Sequence, residues 1–270
     1  MYLAACVQMR AGADVPANLE RVEALAERAA RWGASLVATP ENTTFLGPSD
    51  QKVAIAEPLD GRTHLRLGRL AKQLRIHLLV GSVAERCDET RCYNTSLLFG
   101  PDGSLLAHYR KLHLFDIDVP GGPRFQESAT IARGDRVVVA PTPLGRIGLS
   151  ICYDLRFPEL YRRLVDEGAE VIAIPSAFTL ETGKEHWHAL LRARAIEAQA
   201  WVLAPAQEGR HDDRGLRHSY GHSAIVDPWG TMVADRGEGE GLALAEIDLA
   251  RVARVRAAMP LAAHRVEPNA

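Results

Sequence analysis

Net charge is nearly absent from this chain: 32 Lys and Arg against 34 Asp and Glu leave a formal −2 over 270 residues. A protein that grips nucleic acid or an anionic membrane surface needs a basic excess, and none is available here. Long apolar runs are missing as well. No stretch approaches the roughly 18 residues of a membrane-crossing helix. The opening Met1-Tyr2-Leu3-Ala4-Ala5-Cys6 has neither the basic start nor the apolar length expected of a secretion signal. Cysteine is scarce: Cys6, Cys87, Cys92 and Cys152 are scattered, and the one close pair fits neither a zinc knuckle nor a C-x-x-C redox site. Reduced thiols in the cytoplasm are the expectation.

What remains is an ordinary globular balance, 47% hydrophobic and 24% charged, in a length that suits one large α/β domain spanning residues 1–270. Strand and helix patterns alternate from end to end. Leu3 to Met9 reads as a strand. Residues 16–32 read as a helix with Leu19, Val22, Ala26 and Ala29 on one face, Pro16 in the first turn and Gly33 as the stop. A strand at 35–38, a basic helix near 63–74 and strands at 76–83, 94–99 and 104–109 follow. Residues 115–134 have no strong period, contain Pro120-Gly121-Gly122-Pro123 and read as a long loop. Strands at 136–140 and 144–151, a helix near 158–167, a strand at 170–174 and a helix over 184–199 come next. Strands at 201–204, 221–226, 232–234 and 242–247 complete the pattern, and residues 260–270 read as a loop-like tail.

Three strand ends carry reactive side chains. Arg146 to Ile151 is an apolar strand that delivers Cys152, and Pro158 opens a helix shortly afterwards. A thiol on such a strand-to-helix turn can be aimed at a ligand, although free cysteine also packs commonly as a small hydrophobe. Residues 34–38 lead into Pro40-Glu41, and residues 104–108 into Tyr109-Arg110-Lys111. Each charge alone reads as a solvated strand end. Together they put a carboxylate, an ammonium and a thiol at one end of a sheet, where open α/β sheets bind ligands.

These segments resemble the nitrilase superfamily of carbon–nitrogen hydrolases. Its Glu–Lys–Cys triad matches P-E at 40–41, Y-R-K-L-H-L at 109–114 and I-C-Y-D-L-R-F-P-E-L at 151–160, in the same order and at similar separations. The branch it looks like is that of the deaminated-glutathione amidases. That likeness is carried by R-F-P-E-L, by P-S-A-F at 175–178, by H-W-H-A-L-L-R-A-R-A-I-E at 186–197, by A-Q-E-G-R-H at 206–211 and by S-Y-G-H-S-A-I-V-D-P-W-G at 219–230. The resemblance implies a four-layer α-β-β-α sandwich and no cofactor. It also implies a homodimer paired through the helices after the nucleophile strand, and a second active-site glutamate, Glu127 in F-Q-E-S, beside the lysine.

For amide hydrolysis the resemblance gives Cys152 as nucleophile and Glu41 as the base that returns the thiol proton to the leaving nitrogen and then activates water. Lys111 and the backbone N–H of Tyr153 would hold the oxyanion. A neighbouring carboxylate raises a thiol's pKa and an ammonium lowers it, so the pair calls for a base rather than a standing thiolate. Cys152 is accordingly expected in a pocket and as the thiol of elevated reactivity. Asp154, Arg156 and Glu159 read as a supporting ion-pair network, with Arg156 alternatively meeting a substrate carboxylate. Phe178, Arg124, Arg210 and His211 lie in segments expected to border the pocket.

A Cys–His enzyme would instead draw its base from His113, His186 or His222. His186 and His188 are two apart on one helix and do not share a face; His218 and His222 make a poor ligand pair, so no metal site is expected. The expected substrate is a small 2-oxo acid amide: deaminated glutathione, giving 2-oxoglutarate and cysteinylglycine. The alternatives are 2-oxoglutaramate (an omega-amidase), another amidase or carbamoylase activity of the superfamily, and a non-enzymatic scaffold. True nitrilases carry a tryptophan–glutamate pair where Tyr153-Asp154 stand here.

Overall fold

Apolar residues on both faces of a strand mark a sheet covered on both sides, and the central strands of this chain have that character. The computed structural model describes residues 1–118, 124–214 and 217–266. It begins with strand β1 (Tyr2–Gln8), helix α1 (Val15–Arg31) and strand β2 (Ala34–Ala38). Asp14 caps α1 by accepting from the Ala17 N–H at 3.0 Å, and Pro16 occupies the first turn, where its missing N–H costs nothing. The short α2 (Ser49–Ala54) and α3 (Arg62–Leu74) lead to β3 (His77–Arg86), β4 (Cys92–Phe99) and β5 (Leu105–Arg110). No residue of α2 is buried, so no apolar period announced it.

The segment expected as a loop holds short strands β6 (Asp116–Asp118) and β7 (Arg124–Gln126), which pair antiparallel, then a 3-10 turn (Glu127–Ala129) and β8 (Ile131–Ala132). Strands of two or three residues fall below the length at which alternation can be read. Pro120-Gly121-Gly122-Pro123 of the expected loop lies outside the described residues. The second half runs β9 (Val139–Thr142), β10 (Gly145–Leu149), a 3-10 turn (Cys152–Arg156), α4 (Pro158–Asp166), β11 (Val171–Ala173), α5 (Leu180–Ala198) and β12 (Trp201–Ala204). It closes with β13 (Glu208–Arg210), β14 (His218–Tyr220), β15 (Ala224–Val226), β16 (Met232–Asp235), β17 (Gly241–Ile247), α6 (Leu249–Ala258) and α7 (Leu261–His264). The expected tail from Pro260 thus contains one helical turn.

Two sheets form. The first has the order β17-β1-β2-β3-β4-β5, with β8 on the side of β4; the second has the order β16-β15-β12-β11-β10-β9. Alternate residues of the first sheet serve different cores. Ala5, Val7, Val37, Leu78 and Val80 pack with Val22 and Ala26 of α1 and Leu67 and Leu70 of α3. Ala4, Cys6, Leu36, Ala38 and Leu79 face the other way and share a core with Ile147, Leu149, Ile172 and Leu203 of the second sheet. Leu160 and Leu164 of α4 and Trp187 and Leu191 of α5 cover that second sheet. The layers are therefore α-β-β-α.

Strand direction places the site. β1, β2 and β3 are mutually parallel, and β5, antiparallel to β4, which is antiparallel to β3, runs the same way as β2. β10, β11 and β12 are parallel in the other sheet. Glu41 and Lys111 thus follow strand ends on one edge of the first sheet, and Cys152 follows the end of β10. The edges meet closely at Gly81, where an added Cβ would lie 2.0 Å from the Thr39 carbonyl oxygen and 2.4 Å from Cβ of Pro175.

Candidate active site

The turn after β10 forces Cys152 into a left-handed backbone conformation, φ 48°, which non-glycine residues avoid unless the surroundings hold them there. Two bonds do the holding: the Cys152 N–H donates to the Pro175 carbonyl at 2.9 Å, and the Ile151 N–H donates to Oδ2 of Asp154 at 2.8 Å. Asp154 is fully buried and also accepts from Tyr109 Oη at 2.7 Å, from the His113 N–H at 3.0 Å and from His113 Nδ1 at 2.7 Å. One carboxylate therefore ties the cysteine turn to the strand that delivers Lys111.

Glu41, Lys111 and Cys152 all line one cleft, with about 570 Å³ of empty space. Nζ of Lys111 donates to Oε1 of Glu41 at 2.8 Å and to Oε2 of Glu127 at 2.9 Å. Asn94 on β4 bridges the same two carboxylates, its Nδ2 lying 2.9 Å from Oε1 of Glu41 and 3.2 Å from Oε1 of Glu127. Backbone groups fix both acids: the Ala177 N–H donates to Oε2 of Glu41 at 3.1 Å, and the Phe115 N–H to Oε2 of Glu127 at 2.7 Å. Gln207, fully buried, donates through Nε2 to the Glu41 carbonyl at 2.9 Å and accepts from the Ala11 N–H at 2.9 Å.

Burial pulls the Lys111 ammonium down, but the carboxylates of Glu127 and Glu41 outweigh it and hold Lys111 well above the ordinary lysine value. Burial pushes Glu127 up, and Lys111 and Lys52 bring it down to about 2. Burial, then the charge of Glu41, push the Cys152 thiol well above its usual range, with Lys111 opposing. Burial and the neighbouring carboxylate thus favour the thiol form of Cys152 over the thiolate. The arrangement favours a thiol with a carboxylate at hand to take its proton over a standing thiolate.

The cleft wall is built from Phe115, Tyr153, Arg156 and Phe178, together with Thr179, Thr182, Arg217, His218 and Ser219. α5 approaches β14 closely because residue 183 is glycine: a Cβ there would lie 2.3 Å from Cβ of Tyr220. Among the described residues Arg156 joins no ion-pair network. Its guanidinium stands 5.3 Å from the Phe178 ring centroid and contacts Nδ1 of His186 at 3.3 Å, while Glu159 is exposed on α4. Arg124 is not at the cleft; its side chain is 70% exposed, 4.0 Å from Asp118. Arg210 is likewise exposed on β13. Their place in the cleft wall is taken by Arg217. His211 lies behind the wall, with Nδ1 2.8 Å from the Ala11 carbonyl oxygen and Nε2 2.9 Å from Oγ of Ser219. His113 stacks on Phe157 at 3.7 Å and contacts Asp154, and His222 faces Asp235, so neither stands beside the thiol.

Sequence reasoning passed over Asn94, Gln207, Arg217, Lys52 and Asn42. Asn42, at φ 58°, lines the cleft and accepts from Nζ of Lys52 at 2.6 Å. Only the asparagine's position directly after Glu41 carried a signal. The others come from distant segments.

A family model described as carbon–nitrogen hydrolase matches residues 3–257. The chain is 45% identical over 269 residues to a deaminated glutathione amidase of Synechocystis, covering 98% of each. It is 40% identical over 259 residues to human omega-amidase NIT2, covering 95% of this chain and 92% of that one. Among solved structures it superposes on Saccharomyces cerevisiae Nit3, a member of branch 10 of the nitrilase superfamily. The TM-score is 0.86 at 35% identity, with 96% of this chain and 94% of that one covered.

Proposed function

The chain belongs to the carbon–nitrogen hydrolase family and is a hydrolase of non-peptide carbon–nitrogen bonds. From that premise we propose that it cleaves the amide of deaminated glutathione to 2-oxoglutarate and cysteinylglycine, through a thioester on Cys152. The observation that supports this most is the convergence of a thiol, a carboxylate and a carboxylate-held ammonium in one cleft with two arginines in its wall.

In this reading Glu41 takes the thiol proton as sulfur bonds to the carbonyl carbon. The oxyanion that forms is met by Lys111 and by the N–H of Tyr153, an interaction commonly worth about 3–4 kcal/mol per donor. As the carbon–nitrogen bond breaks, Glu41 returns the proton to the departing amine, and the acyl group stays on sulfur. Glu41 then takes a proton from water, whose oxygen attacks the thioester. Collapse releases the acid, and the thiol regains its proton from Glu41. Glu127 and Asn94 hold Lys111 and Glu41 in register throughout.

The substrate carries two carboxylates, which suit Arg156 and Arg217. Glutathione itself bears an ammonium where the deaminated form has a carbonyl oxygen, and those two cations repel it. Phe178 supplies the apolar floor. The second reading is 2-oxoglutaramate, favoured by the likeness to an omega-amidase. The two substrates share the 2-oxoglutaryl group, hence the same thioester, and differ only in the leaving nitrogen. Side-by-side kcat/KM measurements, read as 2-oxoglutarate formed, test the choice. Preference for 2-oxoglutaramate, or no turnover of deaminated glutathione, would overturn it.

We also place the enzyme in the cytoplasm as a homodimer. All four cysteines are unbridged, which suits a reducing compartment, and no helix among the described residues is long and apolar enough to cross a membrane. Ile196 is 44% exposed on α5, a position a paired subunit would cover. A solution mass near 29.5 kDa would refute the dimer.

A further inference from the structure

Three elements bring two imidazoles and a carboxylate together outside the residues that line the cleft. His188 comes from α5, His222 from the link between β14 and β15, and Asp235 from the end of β16. Nε2 of His188 lies 2.8 Å from Oδ2 of Asp235, and Nδ1 of His222 lies 3.1 Å from Oδ1. One ligand atom from each falls within 4.8 Å of the others. Tetrahedral donors at about 2.0–2.2 Å from a zinc-sized ion stand roughly 3.3–3.6 Å apart, inside the span already present.

The cluster is held in place by its surroundings. The Gly237 N–H donates to Oδ1 of Asp235 at 2.8 Å, and Trp187 Nε1 donates to the His222 carbonyl at 2.8 Å. Tyr220 stacks on the His222 ring at 4.4 Å, and the His222 backbone is left-handed at φ 57°. Ring-orienting contacts of this kind are what a ligand histidine needs. The side chains of His188, His222 and Asp235 remain 34%, 22% and 31% exposed, which leaves room for solvent in an open coordination position.

Two imidazole nitrogens can both hydrogen-bond one carboxylate only if each carries a proton there. A divalent cation takes the place of both protons and bonds all three groups at once. The N,N,O donor set suits borderline cations such as Zn²⁺, whereas Mg²⁺ and Ca²⁺ favour oxygen alone. We propose that His188, His222 and Asp235 form a binding site for a borderline divalent transition metal, Zn²⁺ above all, with water completing the coordination. Such an ion fastens α5 to the β14–β16 segment. Thr182 of α5 and Ser219 of β14 line the cleft, so the same ion braces two of its walls. The spacing of histidines along the chain hid this site, because its members are 34 and 13 residues apart.

The test is Zn²⁺ titration by calorimetry into protein carrying Cys87→Ser and Cys152→Ala, which removes the half-buried and the cleft thiols as competing ligands. The medium is a non-chelating buffer at about pH 7.5, above the ordinary imidazole value of about 6.5. One equivalent should bind and raise Tm. His188→Gln, His222→Asn and Asp235→Asn should each weaken binding at least tenfold and abolish the Tm shift; asparagine at 222 tolerates the left-handed backbone. Circular dichroism confirms that each variant is folded. Failure of the parent to bind Zn²⁺ at millimolar concentration, or unchanged affinity in all three variants, would overturn the assignment.

Discussion

Replacing Glu41 by glutamine separates two accounts of the thiol. Oε1 of Glu41 accepts from Lys111 at 2.8 Å and Asn94 at 2.9 Å, and Oε2 accepts from the Ala177 N–H at 3.1 Å. Glutamine has a single acceptor oxygen. Turned toward Lys111 and Asn94, it keeps two of these bonds and sets its NH₂ against the Ala177 N–H. The Ala177 N–H and the new NH₂ are both left without an acceptor, at about 1–3 kcal/mol for each unpaired buried donor, which a folded domain of this size survives. On the proposed mechanism turnover loses its base, commonly about a hundredfold to ten-thousandfold, or about 2.7–5.4 kcal/mol at 1.36 kcal/mol per decade. The thiol moves the opposite way. Glu41 is, after burial, the main influence that pushes Cys152 up, and its removal leaves Lys111 acting unopposed by that carboxylate. At fixed pH the variant should therefore be alkylated faster by iodoacetamide while forming 2-oxoglutarate at least about a hundredfold more slowly. Retained turnover would refute Glu41 as the base, and slower alkylation would refute its charge as the influence that holds the thiol up.

Iodoacetamide should inactivate the native enzyme in step with modification of Cys152 alone, with substrate protecting; Cys6 and Cys92 are buried and stay unlabelled. Modification of half-buried Cys87 should leave activity intact, and inactivation that tracks Cys87 would reassign the nucleophile. Glu127 sits at about 2 in the fold against an ordinary 4.5, so its stabilising contribution is complete above about 4.5 and is lost as pH falls toward about 2. Glu127→Gln should flatten Tm against pH across that window, and an unchanged acid slope would remove its charge from the account. Asp154→Ala strips the acceptor from four donors and should cost at least about 3 kcal/mol, a fall of several degrees in Tm at about 2–4 °C per kcal/mol; an unchanged Tm would contradict the role of Asp154 in fixing the cysteine turn.

What could be read in advance was local. Residues 34–41, 104–111 and 146–152 each spell a strand with a reactive side chain at its end, and strand ends are where an α/β sheet presents its chemistry. The 3.6-residue period of Leu19, Val22, Ala26 and Ala29 likewise fixed α1 to within a residue at each end. What stayed hidden depends on contacts far along the chain. Asn94 reads as one polar residue in a strand, yet its amide meets Glu41, 53 residues away, and Glu127, 33 residues away. Arg124 and Arg210 were expected at the cleft because of their neighbours in sequence, whereas short-strand pairing turns both side chains outward and brings Arg217 in. The left-handed backbone at Cys152 has no composition signal, since it is imposed by Asp154 and Pro175.

The central claim is a covalent intermediate on one sulfur. Rapid-quench mixing with deaminated glutathione, followed by peptide mass mapping, tests it directly. The account predicts a 2-oxoglutaryl thioester on the Cys152 peptide in the first turnover, formed from either candidate substrate and absent in Cys152→Ala. Steady turnover with no acyl adduct, or an adduct on any residue other than Cys152, would contradict it.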